Sequence, residues 1–477
     1  MFAARKRPRS LARVPVRLVS TVALFGLALQ TPVLGQEAAE AESARAKSVV
    51  LFVGDGVDDH ILTIARNYLY GNVAGKDGFS FDRFEARAAA VVQTVSEDGT
   101  PVYVGDSASG GTALSAGVVT SRGRIATTAG TDLDVPTILE LARDSQLRTG
   151  VVTTASLTDA TPASFVAHIA VRYCEGPVGM EGNEQAGRPG CPNDKVSAGG
   201  PGSIAEQIAV SRADLLLGGG LGVFSEKTAA GDTALDRARA AGYRLVDDAA
   251  SLSQVDALPV LGLFGPSTLP VEWTAEGGVR AARIEVRDKR AVYPEPHRCI
   301  DNPDFGRRPT LQAMTRKALE LLGGDGSRFF LVVESASIDK QAHAREACGH
   351  IGETRALDQS VQAALEFAGQ HPETLVLVTS DHGHAAQIVP VPSLFTSMSQ
   401  FLGPQHPPGF VAVLDMPHGG IMGVNYGTNR SRIEEHTGTQ IPVFAQGPGS
   451  ELVRGLMRQA DVFEVMRQAL GFAEVER

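Results

Sequence analysis

At 477 residues and 43% hydrophobic composition the chain can bury a large core, and its formal net charge of −10 is the wrong sign for a partner built on phosphate backbone. Nucleic acid is therefore excluded as a partner. Beyond residue 40 no stretch is apolar for long enough to span a bilayer, so no stable membrane anchor is expected there.

The chain opens with Arg5, Lys6, Arg7, Arg9, Arg13 and Arg17, then an apolar stretch at 18–29, then small residues around Gly35. That order is the layout of a cleavable secretory signal over residues 1–35. An uncleaved anchor is the alternative, disfavoured because the apolar stretch is short. Removing a segment with six basic and no acidic residues takes the formal charge from −10 to −16. A polar, alanine-rich arm at 37–47 leads into the remainder, 36–477, read as one catalytic domain in the periplasm or outside the cell.

Apolar runs bounded by turn residues read as buried strands. The first, at 49–53, ends on Gly54-Asp55-Gly56. A second strand is predicted at 88–95. Asp106-Ser107 then opens a small-residue helix, and such a helix start is a natural phosphate seat with unpaired N–H groups. A helix at 136–145 precedes a strand at 151–154, which leads to Asp159-Ala160-Thr161. Arg172 offers a guanidinium fork, though most arginines are simply solvated. A glycine- and proline-rich loop at 175–202 follows, then a strand at 215–217 ending in three glycines.

The second half continues the rhythm. A helix at 310–322 precedes a strand at 329–333 that ends on Glu334. Asp339 and His343 stand four residues apart, which on a helix puts them on one face at a spacing that suits one zinc ion. A helix at 354–369 and a strand at 375–378 lead to Asp381-His382-Gly383-His384. Residues 390–423 break the pattern with prolines and glycines and read as an insertion over the rim. His436 lies just before the last strand, at 442–445; alone it reads as a surface histidine.

This alternation predicts an α/β fold with a largely parallel central sheet and helices on both faces. In such sheets ligands gather beyond the carboxyl ends of the strands. Acidic groups crowded at one rim repel each other unless cations sit between them, so metal ions are expected. Cys174, Cys191, Cys299 and Cys348 fit two disulfides in an exported protein, with three pairings open and nearest neighbours the simplest; no Cys-x-x-Cys spacing suggests zinc.

Gly54-Asp55-Gly56, Gly105-Asp106-Ser107-Ala108, Asp159-Ala160-Thr161-Pro162-Ala163, Glu334 with Asp339-Lys340 and His343, Thr379-Ser380-Asp381-His382 and His436-Thr437-Gly438 together resemble bacterial periplasmic alkaline phosphatases. The resemblance covers essentially the whole mature chain. It implies two zinc ions, one held by Asp339, His343 and His436, the other by Asp55, Asp381 and His382. It also implies one magnesium ion sharing Asp55 with Thr161 and Glu334. Ser107 would be the nucleophile that forms a phosphoserine, Arg172 the phosphate clamp held by Asp106, and Asp159 with Lys340 an outer pair near the magnesium. Pairing of Cys174 with Cys191 and of Cys299 with Cys348, a homodimer, and broad hydrolysis of small phosphate monoesters follow from the same resemblance. A phosphodiesterase or sulfatase of the same fold is the alternative. One departure is Gly105 with Gly110-Gly111, in place of bulkier residues, which predicts a loosened nucleophile helix.

Overall fold

The structure is a computed structural model that describes residues 45–71 and 78–474. The predicted signal at 1–35 and most of the arm after it lie outside the described residues. Ten strands make the central sheet: β1 Ser48–Gly54, β2 Ala86–Val91, β3 Arg148–Ser156, β4 Leu215–Gly219, β5 Arg244–Val246, β6 Val260–Leu263, β7 Phe329–Ser335, β8 Thr374–Thr379, β9 Gln440–Gln446 and β10 Gly455–Arg458. Their spatial order is β10-β2-β9-β8-β1-β7-β3-β4-β6-β5. Neighbours pair in parallel except at β9, which runs against both β8 and β2.

Every residue of β1, β7 and β8 is buried, which is why these strands read as unbroken apolar runs instead of alternating ones. Alternation survives in which core each side chain enters. Val49, Leu51 and Val53 of β1 join a cluster with Leu114, Ile138 and Phe463, while Val50 and Phe52 join a second with Ile61, Leu322 and Leu357. The first cluster is covered by helices α2 Ser107–Ala116, α3 Ile138–Asp144 and α7 Asp461–Ala469. The second is covered by α1 Asp59–Tyr70, α4 Leu311–Gly323 and α6 Ala347–Ala368; between α4 and α6 lies α5 Ser337–Ala344. Each fully buried leucine or phenylalanine contributes roughly 1.5–3 kcal/mol, so both faces hold the sheet.

Two departures from the predicted elements have packing causes. The helix predicted at 354–369 begins at Ala347, because Gly349 and Gly352 are contact points and not breaks. A Cβ on Gly349 would meet the Gln341 side chain at 2.3 Å, and one on Gly352 would meet Trp273 at 2.5 Å. The segment at 390–423 is also more ordered than its composition suggests. Phe410–Asp415 and Ile421–Tyr426 form a hairpin in a four-stranded sheet with Gln387–Val389 and Ala282–Arg283. Cys174–Cys191 and Cys299–Cys348 are both bonded; the second staples the start of α6 to Cys299–Asp301.

Candidate metal centre and nucleophile

The four runs that end on acidic residues are neighbours in the sheet, in the order β8-β1-β7-β3. Their register places Val53 opposite both Glu334 and Thr379, and Glu334 opposite Thr153. One rim therefore collects Asp55, Glu334, Asp381 and, a turn beyond β3, Asp159. Two clusters of metal-type ligands result, each with its ligand atoms within 4.8 Å of one another.

The first cluster joins Asp55, Asp381 and His382, all buried. His382 Nε2 lies 3.4 Å from Asp55 Oδ1 and 3.5 Å from Asp381 Oδ2. Burial, then the neighbouring Asp381, Asp339 and Glu334 charges, push the Asp55 carboxyl well above its ordinary range. Burial likewise pushes Glu334 up to about 8, against a hydrogen bond from the Thr153 hydroxyl. Thr161 Oγ1 stands 3.5 Å from Asp381 Oδ2, so Thr161 and Glu334 both border this cluster.

The second cluster joins Asp339, His343, His384 and His436. Three imidazole nitrogens converge on one oxygen, Asp339 Oδ1: His436 Nε2 at 3.2 Å and those of His343 and His384 at 3.4 Å. Burial works to raise Asp339, yet these histidines hold it well below the usual carboxylate range. Burial would lower His436, but Asp339 and the Gly105 carbonyl hold it above its ordinary value. His384, in contrast, is pushed far down by burial. Asp55 Oδ1, Asp339 Oδ1 and His384 Nε2 are buried without a hydrogen-bond partner. Orphaned atoms of this kind are costly unless something satisfies them, and a divalent cation at each cluster would do so. The donor sets, carboxylates with imidazole, are those zinc takes.

Ser107 is the first residue of α2 and is 4% exposed. Asp106 caps the helix by accepting from Ser109 N at 3.1 Å. Ser107 Oγ sits 3.3 Å from His382 Nε2, against the first cluster. Helix α2 is not loosened by its glycines, contrary to the sequence expectation. A Cβ on Gly110 would sit 2.1 Å from the Asp381 carbonyl oxygen, and one on Gly111 would meet Ser164 Oγ at 2.8 Å. The missing side chains let the helix press against the strand end that carries the ligands.

Arg172 is held twice. Its Nη1 donates to Asp106 Oδ2 at 3.2 Å and its Nη2 to Asp159 Oδ1 at 2.9 Å. Lys340 Nζ donates to the other Asp159 oxygen at 2.5 Å. Against burial, Lys340 and Arg172 hold the Asp159 carboxyl well below its ordinary value. The residues singled out in the sequence thus meet in one place. His384 is the addition, since the sequence reading gave it no role. Its signal was the i, i+2 spacing from His382, which on an extended segment repeats the same face. The short ladder Gly383–His384 against His436–Thr437 sets His384 directly opposite His436.

A buried serine at a helix start, an aspartate-braced arginine and two cation-type clusters thus lie together at the strand ends, an arrangement suited to metal-assisted phosphoryl transfer. Comparison with known proteins agrees. The alkaline phosphatase family profile matches residues 46–406. The chain is 42% identical over 439 residues to an alkaline phosphatase of Escherichia coli (strain K12), covering 89% of this chain and 86% of that one. It is 41% identical over 473 residues to a streptomycin-6-phosphate phosphatase of Streptomyces griseus, covering 96% and 98%. Among solved structures, the alkaline phosphatase of Thermus thermophilus superposes with a TM-score of 0.65 at 21% identity, over 94% of this chain and 96% of that one. This chain belongs to the alkaline phosphatase family and is an enzyme that hydrolyses phosphoric monoesters.

Proposed function

We propose that residues 36–477 form an exported, single-domain phosphomonoesterase of broad range that works with two zinc ions and one magnesium ion through a phosphoserine at Ser107. The observation that carries this reading is the place of the Ser107 hydroxyl, at the start of α2 and 3.3 Å from Nε2 of His382, a member of the first cluster. Asp55, Asp381 and His382 would hold one zinc, Asp339, His343 and His436 the other, with His384 braced against Asp339. Thr161 and Glu334 with Asp55 would hold magnesium. Bound cations supply charge that favours ionised serine and water and offsets the negative charge gathering on the reacting oxygens.

The protein's own groups do the rest. Ser107 Oγ attacks phosphorus in line with the ester oxygen; the Oγ–P bond forms as the P–O ester bond breaks and the alcohol departs. The proton lost by Ser107 balances the one taken up by the departing alkoxide. Water then enters where the alcohol left, opposite Oγ, cleaves the Oγ–P bond, returns a proton to Ser107 and releases phosphate. Asp106 and Asp159 aim the Arg172 fork, whose terminal nitrogens each keep a further N–H for the equatorial phosphoryl oxygens. Lys340, fixed by Asp159, adds positive charge on the same side.

Two disulfides fit an oxidising compartment, which supports export to the periplasm or medium after removal of residues 1–35. Among the described residues no helix is long and apolar enough to cross a membrane. Leu394, Phe395, Phe401 and Leu402 are 56–79% exposed, an apolar group that supports a homodimer.

Rates on p-nitrophenyl phosphate and bis-p-nitrophenyl phosphate, with metal content measured on the purified enzyme, test the reading. Faster diester cleavage would replace it with the phosphodiesterase alternative. A kcat/KM for streptomycin 6-phosphate far above all other monoesters would replace broad range with a dedicated aminoglycoside phosphatase, for which the acidic net charge of −16 left after removal of residues 1–35 also argues through attraction of a cationic substrate.

A further inference from the structure

Arg345 ends α5 in the left-handed conformation, at φ 60°, and is still only 5% exposed. A non-glycine residue holds that backbone geometry when the surrounding contacts fix it. Here four acceptors do so. Arg345 Nε donates to Glu434 Oε2 at 2.8 Å, Nη1 to the carbonyls of Ser431 at 3.1 Å and Arg432 at 3.3 Å, and Nη2 to Asn429 Oδ1 at 3.1 Å. The guanidinium lies over the Phe410 ring, 3.9 Å from its centroid. Glu434 is fully buried, and its other oxygen accepts from the Thr428 amide at 3.0 Å and from the Thr428 hydroxyl. The loop at 428–434 is thereby wrapped around one side chain.

That loop sets two metal-type ligands. The Glu434 amide donates to the His343 carbonyl at 3.0 Å, and the Glu434 carbonyl accepts from His343 Nδ1. A carbonyl can only accept, so Nδ1 carries the proton and the His343 Nε2 lone pair faces the cluster. Two residues later comes His436, whose Nδ1 is fixed in the same way by the Gly105 carbonyl at 3.1 Å. Arg345 therefore ties the helix that bears Asp339 and His343 to the loop that orients His343 and delivers His436.

We propose that Arg345 and Glu434 are a buried positioning pair that sets the cation affinity of the Asp339–His343–His436 cluster. The inference rests on the metal reading above. The effect should fall mainly on that cluster: Arg345 and Glu434 reach the Asp55–Asp381–His382 cluster through His436, whose ring stacks on His382 with centroids 3.7 Å apart, so the other cluster should feel their loss far less.

Arg345→Met, Glu434→Gln and the double variant, each in the full chain, are stripped of metal and titrated with zinc against a chromophoric chelator. Melting temperatures of the stripped proteins are measured alongside. Each single variant should bind one zinc equivalent about 10- to 100-fold more weakly and the other nearly as the wild type does. The double variant should be no worse than the weaker single, since each change removes the same link. Arg345→Lys keeps the charge but loses the fork, and should fall between wild type and Arg345→Met. If Arg345→Met does not fold, Glu434→Gln, which keeps shape and volume, decides by the same titration. Wild-type affinity for both zinc equivalents in the variants overturns the proposal, even if the stripped proteins melt lower, because the pair would then be merely structural. A wild type that binds no zinc would instead overturn the metal reading itself.

Discussion

His350 should make the protein acid-sensitive by an amount that one substitution can isolate. It lies inside α6, fully buried, with Nε2 2.8 Å from the Tyr426 hydroxyl and Nδ1 unpaired. Burial lowers its pKa from 6.5 to about 3, with no neighbouring carboxylate to offset the effect. The folded protein thus keeps His350 neutral at a pH where the unfolded chain takes a proton. The stability this histidine permits is whole above pH 6.5 and is lost as the pH falls toward about 3. The slope is about 1.4 kcal/mol per pH unit, so moving from pH 6.5 to 4.5 should cost about 2.5 kcal/mol through this residue alone. His350→Gln presents an amide to Tyr426 and has no proton to gain. Urea unfolding of metal-stripped wild type and variant at pH 8 and pH 4.5 removes metal loss from the comparison, and the titrations common to both proteins cancel in their difference. The variant should be similar or slightly weaker at pH 8 and more stable by about 2–3 kcal/mol at pH 4.5. An unchanged stability difference between the two pH values would refute the argument, and with it the claim that His350 is held neutral.

Ser107→Ala should retain the metal content of the wild type and lose nearly all monoester turnover, with no phosphoenzyme trapped on acid quench; unaltered turnover would remove Ser107 as nucleophile. Asp55→Ala should disturb both metals that the proposal assigns to it, seen as the joint loss of one zinc and the magnesium by elemental analysis. Loss of a single metal would break the idea of a shared carboxylate. Reduction should lower the melting temperature: loops of 17 and 49 residues are closed by the two disulfides. The chain-entropy relation gives about 3 and about 4 kcal/mol for such loops. An unchanged melting point after confirmed thiol release would count against a stabilising role.

Much of the fold was legible because its central strands are buried on both faces. Val49 to Val53 and Phe329 to Val333 are apolar without alternation, and only a sheet covered on both sides asks for that. Most of the site was legible for a related reason, since each such run ends on a group that water would otherwise have to solvate. The rest depended on contacts between residues far apart in the chain. Gly110 looks like a helix defect until the Asp381 carbonyl is placed where its Cβ would be. Gly349 and Gly352 likewise hid the first two turns of α6. Arg345 is an ordinary surface arginine by sequence, and only the fold brings Glu434 and Phe410 to it. His384 was visible in its motif, but its partner across the ladder lies 52 positions later.

That two-rung ladder has an evolutionary consequence. Because Gly383–His384 and His436–Thr437 pin each other, the stretch between them leaves and returns at the same place. The cost of closing such an excursion grows only with the logarithm of its length, about 0.6 kcal/mol per doubling. Segments could be gained, shed or exchanged between the two rungs while the imidazoles stayed where they are. Arg345 is a tether that crosses the boundary close to the ligands, alongside the pairing of Ala282–Arg283 with Phe410–Val411 and the His350–Tyr426 hydrogen bond. A lineage that rebuilt the excursion would therefore have to keep this arginine's acceptors or find another way to aim His343.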